Sequence, residues 1–405
     1  MPRRWTNPNP SPRSSGCWPA PPEPLLSNTA LRILHLHSSF AAGGKELRAV
    51  RLMNLFGPRI SHAVVSAQPG AHGAAALLDP GLPVEFPEDF TGLQGRPTPG
   101  RLWRIAQAMA DFDLVLTYNW GAMDAVMAHG LFSGLLGLPP LVHHEDGFNE
   151  DEAMGLKPAR NRFRRMALRR ASALVVPSQR LEEIALTAWR QPRERVRLIT
   201  NGIDCSAYLD RPRPDMLPGL VKQPGERWVG TLAGLRPVKN LPRLVRAFAG
   251  LPEPWRLVIL GEGPERAAIA AAAAEHGVAD RVHLPGFVAA PSHAVGLFDV
   301  FALSSDSEQF PISVVEAMAA ALPVAAPAVG DVAQMVSVEN RALITPPGDE
   351  AALAATLARL AGDDGLRARL GAANRAFARS HYDEGAMLAA YSRTYGEALG
   401  QERLI

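Results

Sequence analysis

Apolar residues fall in short runs along the chain, separated by longer stretches in which they recur at helical spacing. Leu31 to His37 reads as a strand, Ser38 to Gly44 as a loop of small residues, and Lys45 to Phe56 as a helix. The same order recurs at Ala63–Ser66, at Leu114–Thr117 before a helix around Ala122–His129, at Leu141–His143, and at Ala173–Val176 before Gln179–Ala188. Val196 to Asp204 closes this half. Strand-then-helix repetition predicts an α/β fold, a parallel sheet covered by helices on both faces. Pro212, Pro214, Pro218 and Pro224, with Asp and Gly among them, read as a linker. Beyond it the alternation resumes: strand Trp228–Ala233, helix Leu241–Ala249, strand Leu257–Leu260, helix Glu265–His276, strands Val282–Leu284 and Val300–Leu303, helix Pro311–Ala321, strand Pro323–Ala326. Two doubly wound, Rossmann-like halves joined by one linker predict an interdomain cleft, with ligands outside the carboxyl ends of the strands.

Composition narrows the class. A chain of 405 residues, 47% apolar, has enough material for two or three packed domains. Its net charge of +2 gives no electrostatic footprint for nucleic acid. Cys17 and Cys205 stand far apart, which supports neither a disulfide framework nor a metal cluster and fits a reducing cytoplasm. No apolar run has the length of a membrane span. The first residues are basic but no apolar segment follows; instead seven prolines between Pro8 and Pro24 stand among Ser and Asn. Residues 1–29 are therefore expected to be a disordered Pro-rich leader.

Chemistry concentrates after the strand at Val300. Glu308 stands in the polar loop and Glu316 in the helix that follows, with Pro311 placed where a missing N–H costs nothing. The N–H groups of Ile312 and Ser313 then point out of the helix start toward any anion bound there. A phosphate cradle flanked by two carboxylates suits a sugar nucleotide. Arg236 and Lys239 lie between a strand and a helix, where both can lean over the cleft and neutralise phosphate oxygens. Gly43 and Gly44 end the first strand-to-helix loop, where a missing side chain admits a ligand or simply makes a turn. His143, His144, Glu145 and Asp146 crowd the end of another strand. They form a polar site cluster; a metal site made of the last three is disfavoured because all the ligands come from one loop. Between Ala153 and Leu181 there is no acid, and Lys157 to Arg170 is strongly cationic. That stretch is either a solvated basic helix face or a surface for anionic lipid headgroups.

The two glutamates eight positions apart, followed by Ala317 to Val324, resemble the retaining glycosyltransferases of family 4, which have the GT-B fold. Similar to that family are also Ala173 to Ser178, Val196 to Asp204, Gly230 to Lys239, Leu257 to Pro264 and Arg281 to Phe287, so the resemblance runs from Leu31 to the C-terminus. It implies an acceptor-side domain over 30–208, a linker over 209–224, a nucleotide-sugar domain over 225–380, and a terminal helix over 381–405 that returns to the first domain. By the same resemblance Glu316 holds the ribose, and Arg236, Lys239 and the stretch Phe310, Pro311, Ile312 and Ser313 hold the diphosphate. Glu308 orients the donor sugar, His143 contacts it from the opposite domain, and Gly43 and Gly44 line the cleft. The implied donor is a UDP- or GDP-linked sugar used as substrate, with no cofactor and no metal. The implied partner is a glycan or lipid-linked hydroxyl acceptor, and the setting surface polysaccharide or glycolipid synthesis in the cytoplasm, at the inner face of the membrane. Gly234, Gln309, Ala321 and Gln334 depart from the family pattern. A sugar-nucleotide 2-epimerase shares the architecture, and a non-catalytic GT-B scaffold is the alternative from another class.

Overall fold

The structure is a computed structural model that describes residues 31–41, 43–147, 152 and 155–405. The Pro-rich stretch over 1–29 lies outside the described residues. The first half contains strands β1 (Leu31–His37), β2 (Ile60–Ser66), β3 (Val84–Glu85), β4 (Leu114–Tyr118), β5 (Leu141–His144), β6 (Ala173–Val176) and β7 (Val196–Leu198). Its helices are α1 (Gly44–Phe56), α2 (Pro99–Met109), α3 (Met123–Leu136), α4 (Pro158–Ala167) and α5 (Gln179–Thr187). The second half contains β8 (Arg227–Leu232), β9 (Trp255–Leu260), β10 (Val282–Gly286), β11 (Val300–Ala302), β12 (Val324–Pro327) and β13 (Ile344–Thr345). Its helices are α6 (Leu241–Ala249), α7 (Arg266–Glu275), α8 (Ile312–Ala319), α9 (Val332–Met335), α10 (Glu350–Ala361) and α11 (Asp364–His381), followed by α12 (Glu384–Ala398).

Both sheets are parallel, in the orders β3-β2-β1-β4-β5-β6-β7 and β10-β9-β8-β11-β12-β13. The order reverses beside β1 in one sheet and beside β8 in the other, and loops leaving the carboxyl ends at these reversals frame a crevice. Alternate strand residues feed opposite cores, as parallel strands covered on both faces require. Leu34 and Leu36 pack with α2 and α3, whereas Ile33, Leu116, Tyr118 and Val142 pack with α1 and α12. In the second half Val258, Leu260 and Phe301 face α8; Val229, Leu257 and Ile259 face α6 and α10. The short strands β3 and β13 have too few residues to show a period. No helix among the described residues is long and apolar enough to cross a membrane.

Helix α12 packs on the first half: Met387, Tyr391 and Tyr395 are buried in its core. The crossing is made at Asp383, which pairs with Ile203 in a parallel bridge, and Arg51 of α1 holds Glu384 at 2.6 Å.

The end of α8 accounts for one departure from the family pattern. Leu322 N–H bonds the carbonyl of Ala317 and Ala321 N–H that of Met318, each at 3.0 Å, the double closure that ends a helix on a left-handed residue. Ala321 holds φ of 60°, where a Cβ crowds the backbone. Glycine carries no such penalty there, so Ala321→Gly is expected to raise the unfolding free energy by about 1 kcal/mol, net of the extra freedom glycine gives the unfolded chain. Urea denaturation of the two proteins measures this; an equal or lower value for the variant contradicts the strain.

Candidate functional site

A cavity of about 250 Å³ lies between the two halves at the carboxyl ends of both sheets. Its first wall starts at Gly44 and continues through Lys45 and Arg48 on the inward face of α1. Arg48 is 6% exposed and grips Asp146, just past the end of β5, with both terminal nitrogens; the longer contact is 2.9 Å. The same guanidinium donates to Asn201 Oδ1 at 2.9 Å. Asp146 is held in turn by its own N–H on Asn119 Oδ1 at 2.7 Å. Burial alone raises the Asp146 carboxyl, but Arg48 overrides this and keeps it below the usual carboxylate range. Likewise burial lowers the Arg48 guanidinium and Asp146 outweighs it, leaving it raised.

The second wall is the start of α8, with Phe310, Pro311, Ile312 and Ser313, beside Lys239. The first N–H groups of a helix have no partner inside it, so this wall presents donors and a positive dipole end. Lys239 Nζ lies 2.6 Å from Glu308 Oε1, which also accepts from Ser305 Oγ at 2.7 Å. Ser304 Oγ donates to the Lys239 carbonyl at 3.0 Å, and Arg243 holds both the Ser304 carbonyl and Asp306. The turn carrying Lys239 and the loop carrying Glu308 are thus one bonded unit. Across the cavity the walls approach closely, with Gly44 4.0 Å (from the Cβ it would carry) from Ile312 Cδ1.

Seven of the residues singled out in the sequence line the cavity: Gly44, Asp146, Lys239, Phe310, Pro311, Ile312 and Ser313. Glu308 joins them through Lys239. Gly43 is the extended residue before α1 and does not line it. Arg236 is exposed and outside the cavity lining; its Nε lies 3.6 Å from where a Gly234 Cβ would be, so it covers the position that lacks a side chain. Glu316 is 8% exposed and accepts a hydrogen bond from Tyr208 Oη at 3.1 Å, and burial lifts its carboxyl to about 7. The structure places His143 away from the cavity wall, fully buried and bonded to Thr117 Oγ1 at 2.8 Å. Parity explains why, since β5 sends His143 to the same face as Leu141, while the chain beyond the strand is free to turn Asp146 to the cleft. Nor do His144, Glu145 and Asp146 converge as a metal site would need. They point to Tyr395, Arg164 and Arg48 respectively. Arg48 was missed, and Asn201 stood in a family-like stretch without a role, because the significance of each appears only when distant segments meet.

Two family models match in succession. The one described as Glycosyltransferase Family 4 covers residues 42–207, and the one described as Glycosyl transferases group 1 covers 213–377. The chain is 27% identical over 306 residues to a 2-deoxystreptamine glucosyltransferase of Streptomyces kanamyceticus, spanning 70% of this chain and 78% of that protein. It is also 27% identical over 389 residues to a D-inositol 3-phosphate glycosyltransferase of Xylanimonas cellulosilytica, spanning 87% and 92%. Among solved structures, Anabaena HepE in complex with UDP superposes with a TM-score of 0.74 at 24% identity, covering 88% of this chain and 97% of that one. A sucrose-phosphate synthase from Thermosynechococcus elongatus gives 0.71 at 20% identity, covering 91% and 99%. These structural likenesses establish the two-domain GT-B fold.

Below the first wall, on the α1 and α12 side, imidazoles line up in the core. His35 lies 3.0 Å from His62 and 3.2 Å from Tyr118 Oη, and His144 lies 2.9 Å from Tyr395 Oη. His37 stacks on Tyr118 with centroids 3.9 Å apart. Burial drives all four rings down: His62 to about 4, His144 to about 3, His35 and His37 well below the ordinary value. The unfolded chain takes up protons near pH 6.5 where the folded one does not, so their contribution is complete above about 6.5 and is lost as pH falls toward about 4. Glu316 and Asp331, raised by burial, act in the opposite sense but are outnumbered. Denaturation at pH 7, 6 and 5 is expected to show stability falling, each imidazole contributing up to about 1 kcal/mol per pH unit below its unfolded value, with a shallower slope in His62→Leu. A flat profile contradicts neutral buried rings.

Proposed function

The chain belongs to glycosyltransferase family 4, and from that premise we propose that it moves a hexose-type sugar from a nucleotide diphosphate to a hydroxyl acceptor with retention of configuration. The observation that carries this reading is the Lys239–Glu308 pair standing beside the start of α8, opposite Lys45, Arg48 and Asp146. A diphosphate entering between the walls meets Lys239 and the N–H groups of Ile312 and Ser313. Lys239 shifts from Glu308 to phosphate, and the freed carboxylate accepts a hydrogen bond from a donor-sugar hydroxyl. Glu316, buried and given one side-chain hydrogen bond among the described residues, from Tyr208, is suited to accept from ribose hydroxyls. Asp146, held ionised by Arg48, offers an acceptor-only group from the opposite wall.

In the reaction the bond from the anomeric carbon to the phosphate oxygen breaks while the acceptor oxygen bonds to the same face. The acceptor's proton passes to the departing phosphate oxygen, so no protein base is required. Charge growing on the diphosphate is met by Lys239, with Arg236 in reach of the same turn, and by the helix start. This chemistry uses only side chains and backbone donors, and the proposal includes no metal. UDP is favoured over GDP because the HepE structures hold UDP, UDP with glucose, and UDP-glucose. The acceptor is assigned to surface glycan or glycolipid synthesis, as relatives include a colanic acid biosynthesis glycosyltransferase of Escherichia coli. Cytoplasmic action at the inner membrane face belongs to the same proposal.

One surface of the first half supports the membrane part of the proposal. Leu131 and Leu135 of α3 are 56% and 74% exposed, and Met166 of α4 is 51% exposed. Arg162, Arg169 and Arg170 are exposed nearby in sequence, and the Arg170 guanidinium lies against Gly134, next to Leu135. Apolar side chains flanked by cations suit an anionic bilayer surface.

Lys239→Ala and Glu308→Ala are each expected to lower turnover of the nucleotide-sugar about a hundredfold or more, read as nucleotide release. Undiminished release in both removes the site assignment. Sedimentation with phosphatidylglycerol vesicles is expected to capture the protein and phosphatidylcholine vesicles to leave it in solution. The triple variant Leu135→Glu, Arg169→Glu, Arg170→Glu should lose that capture; equal binding to both lipids contradicts the surface.

A further inference from the structure

Helix α5 belongs to the first half and its N-terminus faces the cleft, where Pro177, two residues before it, lines the cavity. Its own cap, Ser178 Oγ, accepts from the N–H of Leu181 at 3.1 Å. The two N–H groups before that are satisfied from the other half. Gln179 N–H donates to Asp331 Oδ2 at 2.6 Å and Arg180 N–H to Asp331 Oδ1 at 3.2 Å. Asp331 occupies the capping position of α9, yet its carboxylate makes no bond to that helix. It reaches across the cleft instead, and at 6% exposure it is buried there.

The other end of this residue is tied to the loop that carries Glu308. Asp331 N–H donates to the Gln309 carbonyl at 3.1 Å. Gly330, with φ of 55°, lies so close that a Cβ would come within 2.4 Å of the Glu308 carbonyl oxygen. A carboxylate on two N–H groups at a helix start is a charge-assisted contact, and here it spans the two halves. Gln309 meets the first half a second time, its Cγ 3.3 Å from the Cβ position of Gly147.

We infer that Asp331 is a positioning residue that latches the two halves around the cleft and sets the backbone of Glu308 and Gln309 when they close. The latch rests on the reading of Glu308 as the carboxylate that orients the donor sugar. Its two parts separate experimentally. Amide hydrogen exchange of the full chain, without any nucleotide, follows Gln179 and Arg180 in wild type, Asp331→Ala, Asp331→Asn and Ser178→Ala. Loss of a cap of this kind corresponds to roughly tenfold faster local opening, so Asp331→Ala should speed exchange at both amides by about that factor. Asp331→Asn keeps one acceptor oxygen and nearly the same shape, so it should fall between. Steady-state kinetics with UDP-glucose, read as UDP release, should show kcat falling about tenfold in Asp331→Ala with partial rescue in Asp331→Asn. Ser178→Ala frays the same helix end from within its own half, speeding exchange at Leu181 with kcat kept. Exchange unchanged in Asp331→Ala overturns the latch, whether or not the donor assignment stands. Faster exchange with kcat and KM both unaltered, or an equal kcat loss in Ser178→Ala, overturns the positioning role.

Discussion

A guanidinium and a carboxylate withdrawn from water together, Arg48 and Asp146, hold the first half in the form the cleft needs. Neither is tolerable alone at that depth, since an unpaired buried charge costs several kcal/mol. Each therefore fixes the position of the other, and with it the element that carries it. Arg48 brings α1, Asp146 the exit of β5, Asn201 the segment leading out of the half, and Tyr391, whose ring lies 5.7 Å from the guanidinium, brings α12. Four segments far apart in the chain meet at one group of charges. Their arrangement is over-determined, which is what a binding wall made of loops requires.

The cations around the cavity share a further property. Lys45 is bonded to Glu46, Arg48 to Asp146 and Lys239 to Glu308. An incoming anion must exchange partners with an existing carboxylate rather than settle on a bare charge. A ligand that offers phosphate to the cation and a hydroxyl to the displaced carboxylate repairs both ends; a simple anion repairs only one. Discrimination by completion of a bonded set is stronger than attraction alone, because a carboxylate left unpaired is penalised.

Much of this was legible in the chain. Alternating apolar runs gave two parallel sheets and the cleft between them, because burial on both faces leaves an unmistakable record in strand composition. Pro311 and the polar loop before it marked the start of α8; that Lys239 and Glu308 bond each other was not written in their spacing. That Asp146 and not His143 lines the cavity was not legible, because a strand end and the residue three places on differ in direction, and spacing alone does not say where the strand stops. Asp331 could not be read at all, and Asn201 stood only within a family-like stretch that gave no hint of its bond to Arg48. Their partners lie more than 150 residues away for each, and no local pattern signals such a meeting. Ala321 was visible as a departure, but only its φ of 60° gives the departure a physical meaning.

The chain passes between the halves twice, once outward after Ile203 and once back at Asp383, and the two passages lie side by side in a parallel bridge. Tyr382 O accepts from Ile203 N–H and Ile203 O from Glu384 N–H, each at 3.0 Å. A lone connecting strand would leave its two bodies free to swing, twist and roll. Two strands bonded to each other behave as a hinge pin: twist and roll would shear the bonds between them, and swinging about their common line alone keeps the bonds intact. Opening and shutting are thereby reduced to one degree of freedom, so the walls return to the same register each time the cleft closes.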